Sequence, residues 1–144
     1  MKNLPIICLL TTLCFQTSQA QVGALEFRDI TMEHGLSSDC VLGIAQDSQG
    51  FMWFGTTTGL NRYDGYKFKI YKNDPNDPES ISYHSINSVF RDSRGTLWIG
   101  TVARGLNRFD SKRDRFKSYK IDKNDSTSIS SNHSVGPIYE DRKG

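Results

Sequence analysis

Histidine and cysteine are scarce in this sequence, with three of each in 144 residues. No grouping of them has metal-ligand spacing, so no metal site is predicted. Cys8 and Cys14 both fall within the first fifteen residues, and the one later cysteine, Cys40, has no internal partner for a disulfide. An excess of either charge is also missing. Eighteen basic and sixteen acidic residues give a net charge of +2, which leaves no electrostatic footprint for nucleic acid or an anionic membrane. No apolar run approaches the roughly 20 residues that a membrane helix needs, and helical periodicity is absent. What remains is aromatic and glycine-rich: 11% Phe, Trp and Tyr, with twelve glycines. That is the composition of a folded β-rich chain with many turns.

The first twenty residues read as an address. Lys2 precedes a run from Leu4 to Phe15 that is apolar apart from Thr11 and Thr12. Ser18-Gln19-Ala20 then places small residues three and one before a cut between Ala20 and Gln21, the pattern of a secretory signal peptide. Pro5 argues against a buried helix, and Leu13 before Cys14 argues against a lipoprotein anchor. Removal of this leader takes Cys8 and Cys14 with it. Cys40 is then expected as a small apolar filler at the opening of a strand.

The rest of the chain repeats, which is the strongest signal in it. Asp47-Ser48-Gln49-Gly50-Phe51-Met52-Trp53-Phe54-Gly55-Thr56 returns 45 residues later as Asp92-Ser93-Arg94-Gly95-Thr96-Leu97-Trp98-Ile99-Gly100-Thr101. Gly59-Leu60-Asn61-Arg62-Tyr63-Asp64 returns as Gly105-Leu106-Asn107-Arg108-Phe109-Asp110. A third copy opens at Ser128-Ile129-Ser130 and reaches Asp141 to Gly144. Each unit reads as four short strands: Val41 to Gln46, Phe51 to Thr56, Gly59 to Tyr63 and Lys67 to Tyr71, then Ile86 to Arg91, Thr96 to Thr101, Gly105 to Phe109 and Arg115 to Tyr119. Asp47 and Asp92 each start a tight turn, and Gly50 and Gly95 close it where a positive φ is needed. Gly55 and Gly100 are read as points of close backbone approach.

Four antiparallel strands at a period in the forties describe a β-propeller blade. The predicted fold is therefore all-β, with about two and a half blades of an incomplete ring. The division is a leader at 1–20, an N-terminal segment at 21–34, blades at 35–79 and 80–127, and the start of a third at 128–144. Leu25 to Ile30 resembles the fourth strand of a unit and is expected as an orphan outer strand that completes the last blade. Trp53 and Trp98 are expected to pack between neighbouring sheets. An unclosed array exposes edges and apolar faces, so the isolated segment is expected to be partly unfolded or self-associated.

The motif Asp-Ser-x-Gly-x-x-Trp-x-Gly-Thr followed by Gly-Leu-Asn-Arg-aromatic-Asp resembles the two-component regulator propeller repeat. The entry Ile30 to Ser37 resembles that family's opening segment. The resemblance implies the periplasmic sensor half of a hybrid histidine kinase in the inner membrane, with the kinase elsewhere in the protein. Its implied partners are an oligosaccharide ligand, the remaining propeller blades and, as a homodimer, a second copy; no nucleic acid is expected to touch this segment. No cofactor is called for. His34, His84 and His133 read as turn or surface histidines, not as a phosphorylated one.

Two other functions compete. The turn also resembles the Asp-box hairpin of sialidase-like propeller hydrolases, but that hairpin is structural. A hydrolase needs paired carboxylates or a nucleophile with its base in one cleft, and Asp47 and Asp92 are accounted for by turns. No catalytic residue is assigned. An exported scaffold without signalling is the third reading. Loops carry function on rigid scaffolds, so the links between second and third strands are the candidate ligand contacts: Thr57, Thr58 and Arg104. The longer connectors around Asn73 to Pro78 and Lys123 to Ser128 read as inter-blade links and not as calcium loops.

Overall fold

The computed structural model describes residues 27–142. The expected leader, its cut at Ala20-Gln21 and the first two residues of the anticipated orphan strand lie outside them. Eight strands form two antiparallel four-stranded meanders. The first sheet is β1 (Val41–Gln46), β2 (Met52–Thr56), β3 (Gly59–Tyr63) and β4 (Phe68–Tyr71). The second is β5 (Ile86–Arg91), β6 (Leu97–Thr101), β7 (Leu106–Asp110) and β8 (Arg115–Tyr119). The register repeats as the sequence does. Trp53 lies opposite Ala45 and Arg62, and Trp98 lies opposite Phe90 and Arg108.

Strand ends shift by a residue where backbone bonds divert them. Phe51 and Thr96 give their carbonyls to Asp47 and Asp92 across the turn, so β2 and β6 start one residue later than expected. Gly105 lies in the left-handed region with its carbonyl bonded to the Thr101 amide at 3.1 Å. That makes it part of the turn, and β7 runs on to Asp110 instead.

The two sheets stack against each other through their inner strands. Gly43 of β1 lies on the backbone of β5, where a Cβ would come within 2.8 Å of the Val89 nitrogen. Gly55 lies under Ile86, at 2.5 Å from a Cβ to Cγ2. Glycine there is required by proximity. The core between the sheets takes Trp53, Leu60 and Tyr71 from the first and Ile86, Val89, Leu97, Ile99, Phe109 and Phe116 from the second, with Ile81 from the connector. Trp53 has no solvent exposure. Its ring stacks on Tyr71 at 5.5 Å and meets Phe109 edge-on at 4.7 Å.

Trp98 differs from this pattern. It is only half-buried, beside Tyr119 at 5.8 Å. The face of β6 that carries it is partly covered by residues 134–140. Val135 donates its amide to the Thr101 carbonyl at 3.0 Å and sits where a Cβ on Gly100 would meet it. Asn87 Nδ2 donates to Ser134 Oγ and the Val135 carbonyl. Residues 128–142 form no strand.

One further reading is corrected: Cys40 is exposed just before β1 and fills no core. Residues 27–30 pair with no strand among the described residues, and the last blade they are expected to complete is not among these. His34 lies exposed at the end of a 3-10 turn, Met32–His34, as a turn histidine, where its Nδ1 accepts from the Thr31 amide at 3.2 Å.

Candidate functional site

The repeated turn is built by one carboxylate. Asp47 Oδ1 accepts from the amides of Gln49 and Phe51 at 2.9 and 3.0 Å, while Oδ2 accepts from the Trp53 indole at 2.7 Å. Asp92 repeats this with Arg94, Thr96 and Trp98, the last at 2.9 Å. Gly50 and Gly95 close the turns at φ of 91° and 83°. Both carboxylates are thereby spent on structure: each folds its hairpin and sets the tryptophan's ring angle.

A second repeated device was not foreseen. Asn61 and Asn107 are fully buried on the third strands. Asn61 Oδ1 accepts from the Ser37 amide at 2.9 Å, and its Nδ2 donates to Ser37 Oγ and the Phe54 carbonyl. Asn107 binds Ser82 the same way, at 3.0 and 2.9 Å, and Ser118 Oγ donates to its Oδ1. Each asparagine clasps the segment that enters its own sheet. Buried amides leave little polar surface unpaired, so the entering loop is fixed. The signal was present in the sequence as a serine 24 or 25 residues before each asparagine.

The three predicted ligand contacts lie on the rim formed by these entering loops. They do not converge. Thr57 Oγ1 meets Ser38 Oγ at 3.1 Å, and Thr58 Oγ1 donates to the Ser37 carbonyl at 2.6 Å. Their hydroxyls are occupied within the rim. Arg104 presents an exposed side chain, while its carbonyl accepts from Ser82 Oγ at 2.9 Å. It lines a cleft of about 310 Å³ with Asn73, Asp74, Ser80, Ser118 and Lys120. Acidic and basic side chains, three serines and the Asn73 amide line that space.

The connector beside the cleft is rigid for a local reason. Asp74 Oδ1 and Asp77 Oδ1 accept from the amides of Asn76 and Glu79, and Ser80 Oγ links the two ends of the loop through the Asp74 amide and carbonyl. Asp122, Asn124, Asp125, Thr127 and Ser128 form the same bonds in the next connector. These acids serve as turn acceptors. Among the described residues no group of three or more His, Cys, Asp or Glu is placed to hold a metal ion.

Ionic contacts join the two sheets at their outer edge. Asp114, at φ 56° in the β7–β8 turn, reaches back across the boundary. It accepts from Lys69 Nζ and from Tyr71 Oη at 2.7 Å, with Arg62 at 3.5 Å. Arg113 pairs with Glu79, and Arg115 with Asp77. Burial, reinforced by the bond to Asp114, pushes the Tyr71 hydroxyl well above its usual range. Burial alone would raise the Asp114 carboxyl, but Lys69, Tyr71 and Arg62 outweigh it and hold it below the usual range. Asp92 behaves alike: burial opposes ionisation, and the Trp98 indole with the Thr96 and Arg94 amides prevails.

Stability tied to these carboxylates follows from the sign of the shift. A depressed pKa stabilises the fold at all pH above the unfolded carboxylate value of about 3.9, and that stability is lost as pH falls through the folded value. Thermal midpoints are therefore expected to be flat above about pH 5 and to drop progressively below it. In Asp114→Asn the drop should be shallower, because the neutral amide has no proton to gain. Melting curves across pH 2–7 check this, and parallel curves for the two proteins would contradict it.

The family model of the two component regulator propeller matches residues 35–58 and 80–103. Each match runs from the entering loop through the second strand. The chain is 47% identical over 64 residues to histidine kinase P4 of Formosa agariphila, a stretch covering 44% of this chain and 5% of that protein. Among solved structures it is similar to the extracellular domain of the putative hybrid two component system BT3049 from B. thetaiotaomicron, with a TM-score of 0.68 and 35% identity over 74% of this chain. The extracellular domain of the putative hybrid two component system BT4673 from the same organism matches with a TM-score of 0.54 and 26% identity over 71%. The chain spans 15% and 14% of those two structures. Among the described residues no helix is long and apolar enough to cross a membrane.

Proposed function

From the premise that this chain carries the repeats of the two-component regulator propeller family, we propose that it forms the amino-terminal blades of a periplasmic sensor propeller that signals through a histidine kinase. The observation that carries this reading is the stacked pair of sheets, similar at 35% identity to the extracellular domain of a putative hybrid two component system. In this reading the leader exports the segment, and the segment itself performs no chemistry. Its ligand is a carbohydrate fragment, held at the rim cleft lined by Arg104 and Lys120.

Two features support a neutral, hydroxyl-bearing ligand. Asp47 and Asp92 are consumed by turns, and the two carboxylates that line the cleft, Asp74 and Asp77, each accept a backbone amide of the connector. The cleft mixes donors and acceptors at a rim whose loops are clasped by Asn61 and Asn107, and a pre-organised lining lowers the cost of binding. Calorimetric titration with a panel of oligosaccharides tests the reading. The expected result is binding without release of product, weakened about tenfold by Arg104→Ala, the loss of roughly one charge-assisted bond. Arg104→Ala should leave the melting temperature unchanged, since the Ser82 clasp uses the Arg104 carbonyl. Release of a shortened sugar would favour a hydrolase, and a panel without binders would remove the carbohydrate assignment.

A further inference from the structure

The two Asp-x-x-Gly turns are built alike but are partnered differently. In the second, Ser93 donates its amide and its hydroxyl to the two oxygens of one carboxylate, Glu140, at 2.7 and 2.9 Å. Ser48 holds the same place in the first turn, directly after Asp47 as Ser93 follows Asp92. No acid of the second unit stands where Glu140 stands in the third. That position, directly before Asp92 as Glu140 directly precedes Asp141, is Arg91, which cannot accept those bonds. Among the described residues neither the amide nor the hydroxyl of Ser48 has a hydrogen-bond partner.

Ser48 instead faces a cleft of about 370 Å³ between the first two units, which Gln49, Arg94, Arg108 and Asp110 also line. The two turns meet there, since a Cβ on Gly95 would lie 3.7 Å from that of Ser48. Arg94 and Arg108 are exposed and form no ion pair among the described residues. The acids of the lining are directed into their own turns. Asp47 accepts from the Gln49 and Phe51 amides and the Trp53 indole, and Asp110 Oδ1 accepts from the Lys112 and Arg113 amides. Those donors offset their charge.

From this we infer that the cleft between the two Asp-x-x-Gly turns is a carboxylate site. One acid group of a small ligand takes the amide and hydroxyl of Ser48, as Glu140 takes those of Ser93, and Arg94 supplies the opposite charge. Bonds to an ionised acceptor are the stronger kind, and the turn holds both donors in place before the ligand arrives. The site lies at the end of the sheets that carries the β1–β2 and β3–β4 turns. Arg104 and the β2–β3 loops lie at the other end. The inference therefore goes beyond the sensor reading and stands whether or not the rim cleft takes a carbohydrate.

Calorimetric titration of the whole chain with galacturonate tests it, with galactose as the neutral control. Galacturonate should bind, and Ser48→Pro should abolish that binding by removing the amide hydrogen and the hydroxyl together. Proline suits this place, the first central position of a turn closed from the Gly50 amide to the Asp47 carbonyl at 3.2 Å, so the melting midpoint should hold. Ser48→Ala keeps the amide and should weaken binding about tenfold, as should Arg94→Gln. Arg104→Ala should leave the galacturonate affinity unchanged. Absence of binding, equal binding by the wild-type chain and Ser48→Pro, or galactose binding that Ser48→Pro also abolishes would each overturn the inference. Loss of galacturonate binding in Arg104→Ala alone would overturn it too, and would place the acid at the rim.

Discussion

Replacing Trp53 by alanine should cost about 3–5 kcal/mol, enough to abolish cooperative folding, whereas the same change at Trp98 should cost a small fraction of that. The two residues share a motif, a strand position and an indole bond to an aspartate. They differ in what lies over them. Trp53 is fully buried between Tyr71 and Phe109, so its loss opens a cavity between two sheets that close packing cannot refill. Trp98 is half-exposed on an open face, and water already reaches part of its site. Urea denaturation followed by circular dichroism, at concentrations where the chain is monomeric, reads the difference directly. Equal losses would mean that the sheets do not stack in the order described.

The second large effect is expected at Asn107. Asn107→Ala should destabilise by about 2–4 kcal/mol, although it removes only a small polar side chain. The amide binds Ser82 twice and accepts from Ser118, and Ser82 is 4% exposed. Its loss strands the buried Ser82 amide, at a cost of about 1–3 kcal/mol when left unpaired, removes the bond to the half-buried Ser118 hydroxyl and leaves a cavity. Asn107→Asp is the informative companion, since it keeps an acceptor for the Ser82 amide but loses the donor and buries a charge. Both should also loosen the rim near Arg104, because Ser82 Oγ bonds the Arg104 carbonyl. Amide exchange at Ser82 should therefore accelerate in both variants. An unchanged exchange rate would separate the clasp from the rim.

Much of this fold was legible because the sequence states it twice. β1, β3, β5 and β8 fall on the expected residues, and the others shift by a single residue at turns. Alternation of period two, a fixed Asp-x-x-Gly turn and glycines at crowded points act locally, within a few residues of one another. The glycines at 55 and 100 were readable for that reason, since the close approach recurs wherever the blade does. Asn61 and Asn107 were readable in principle, because each is repeated with its serine, but a polar residue inside a strand is usually taken as solvent-facing.

The inter-sheet acid was not legible. Asp114 has no counterpart in the first unit, and its partners at 62, 69 and 71 meet it only after two sheets have stacked. The candidate ligand rim was legible in position and not in detail. Thr57 and Thr58 stand where the repeat placed them, but their hydroxyls are taken by Ser37 and Ser38 through contacts that span about twenty residues of chain. The half-burial of Trp98 follows from what covers its face, and repeat symmetry by itself assigns it the same role as Trp53.

The most direct measurement of the central claim, that the two repeats fold as one stacked unit, is the fluorescence of Trp98→Phe, which leaves Trp53 as the sole tryptophan. The core shared by the two sheets predicts, against the partial unfolding expected of an unclosed array, a blue-shifted, quencher-protected emission that changes in a single urea transition coincident with the loss of β-sheet circular dichroism. Emission like that of free tryptophan, or a fluorescence transition well separated from the loss of sheet, would contradict it.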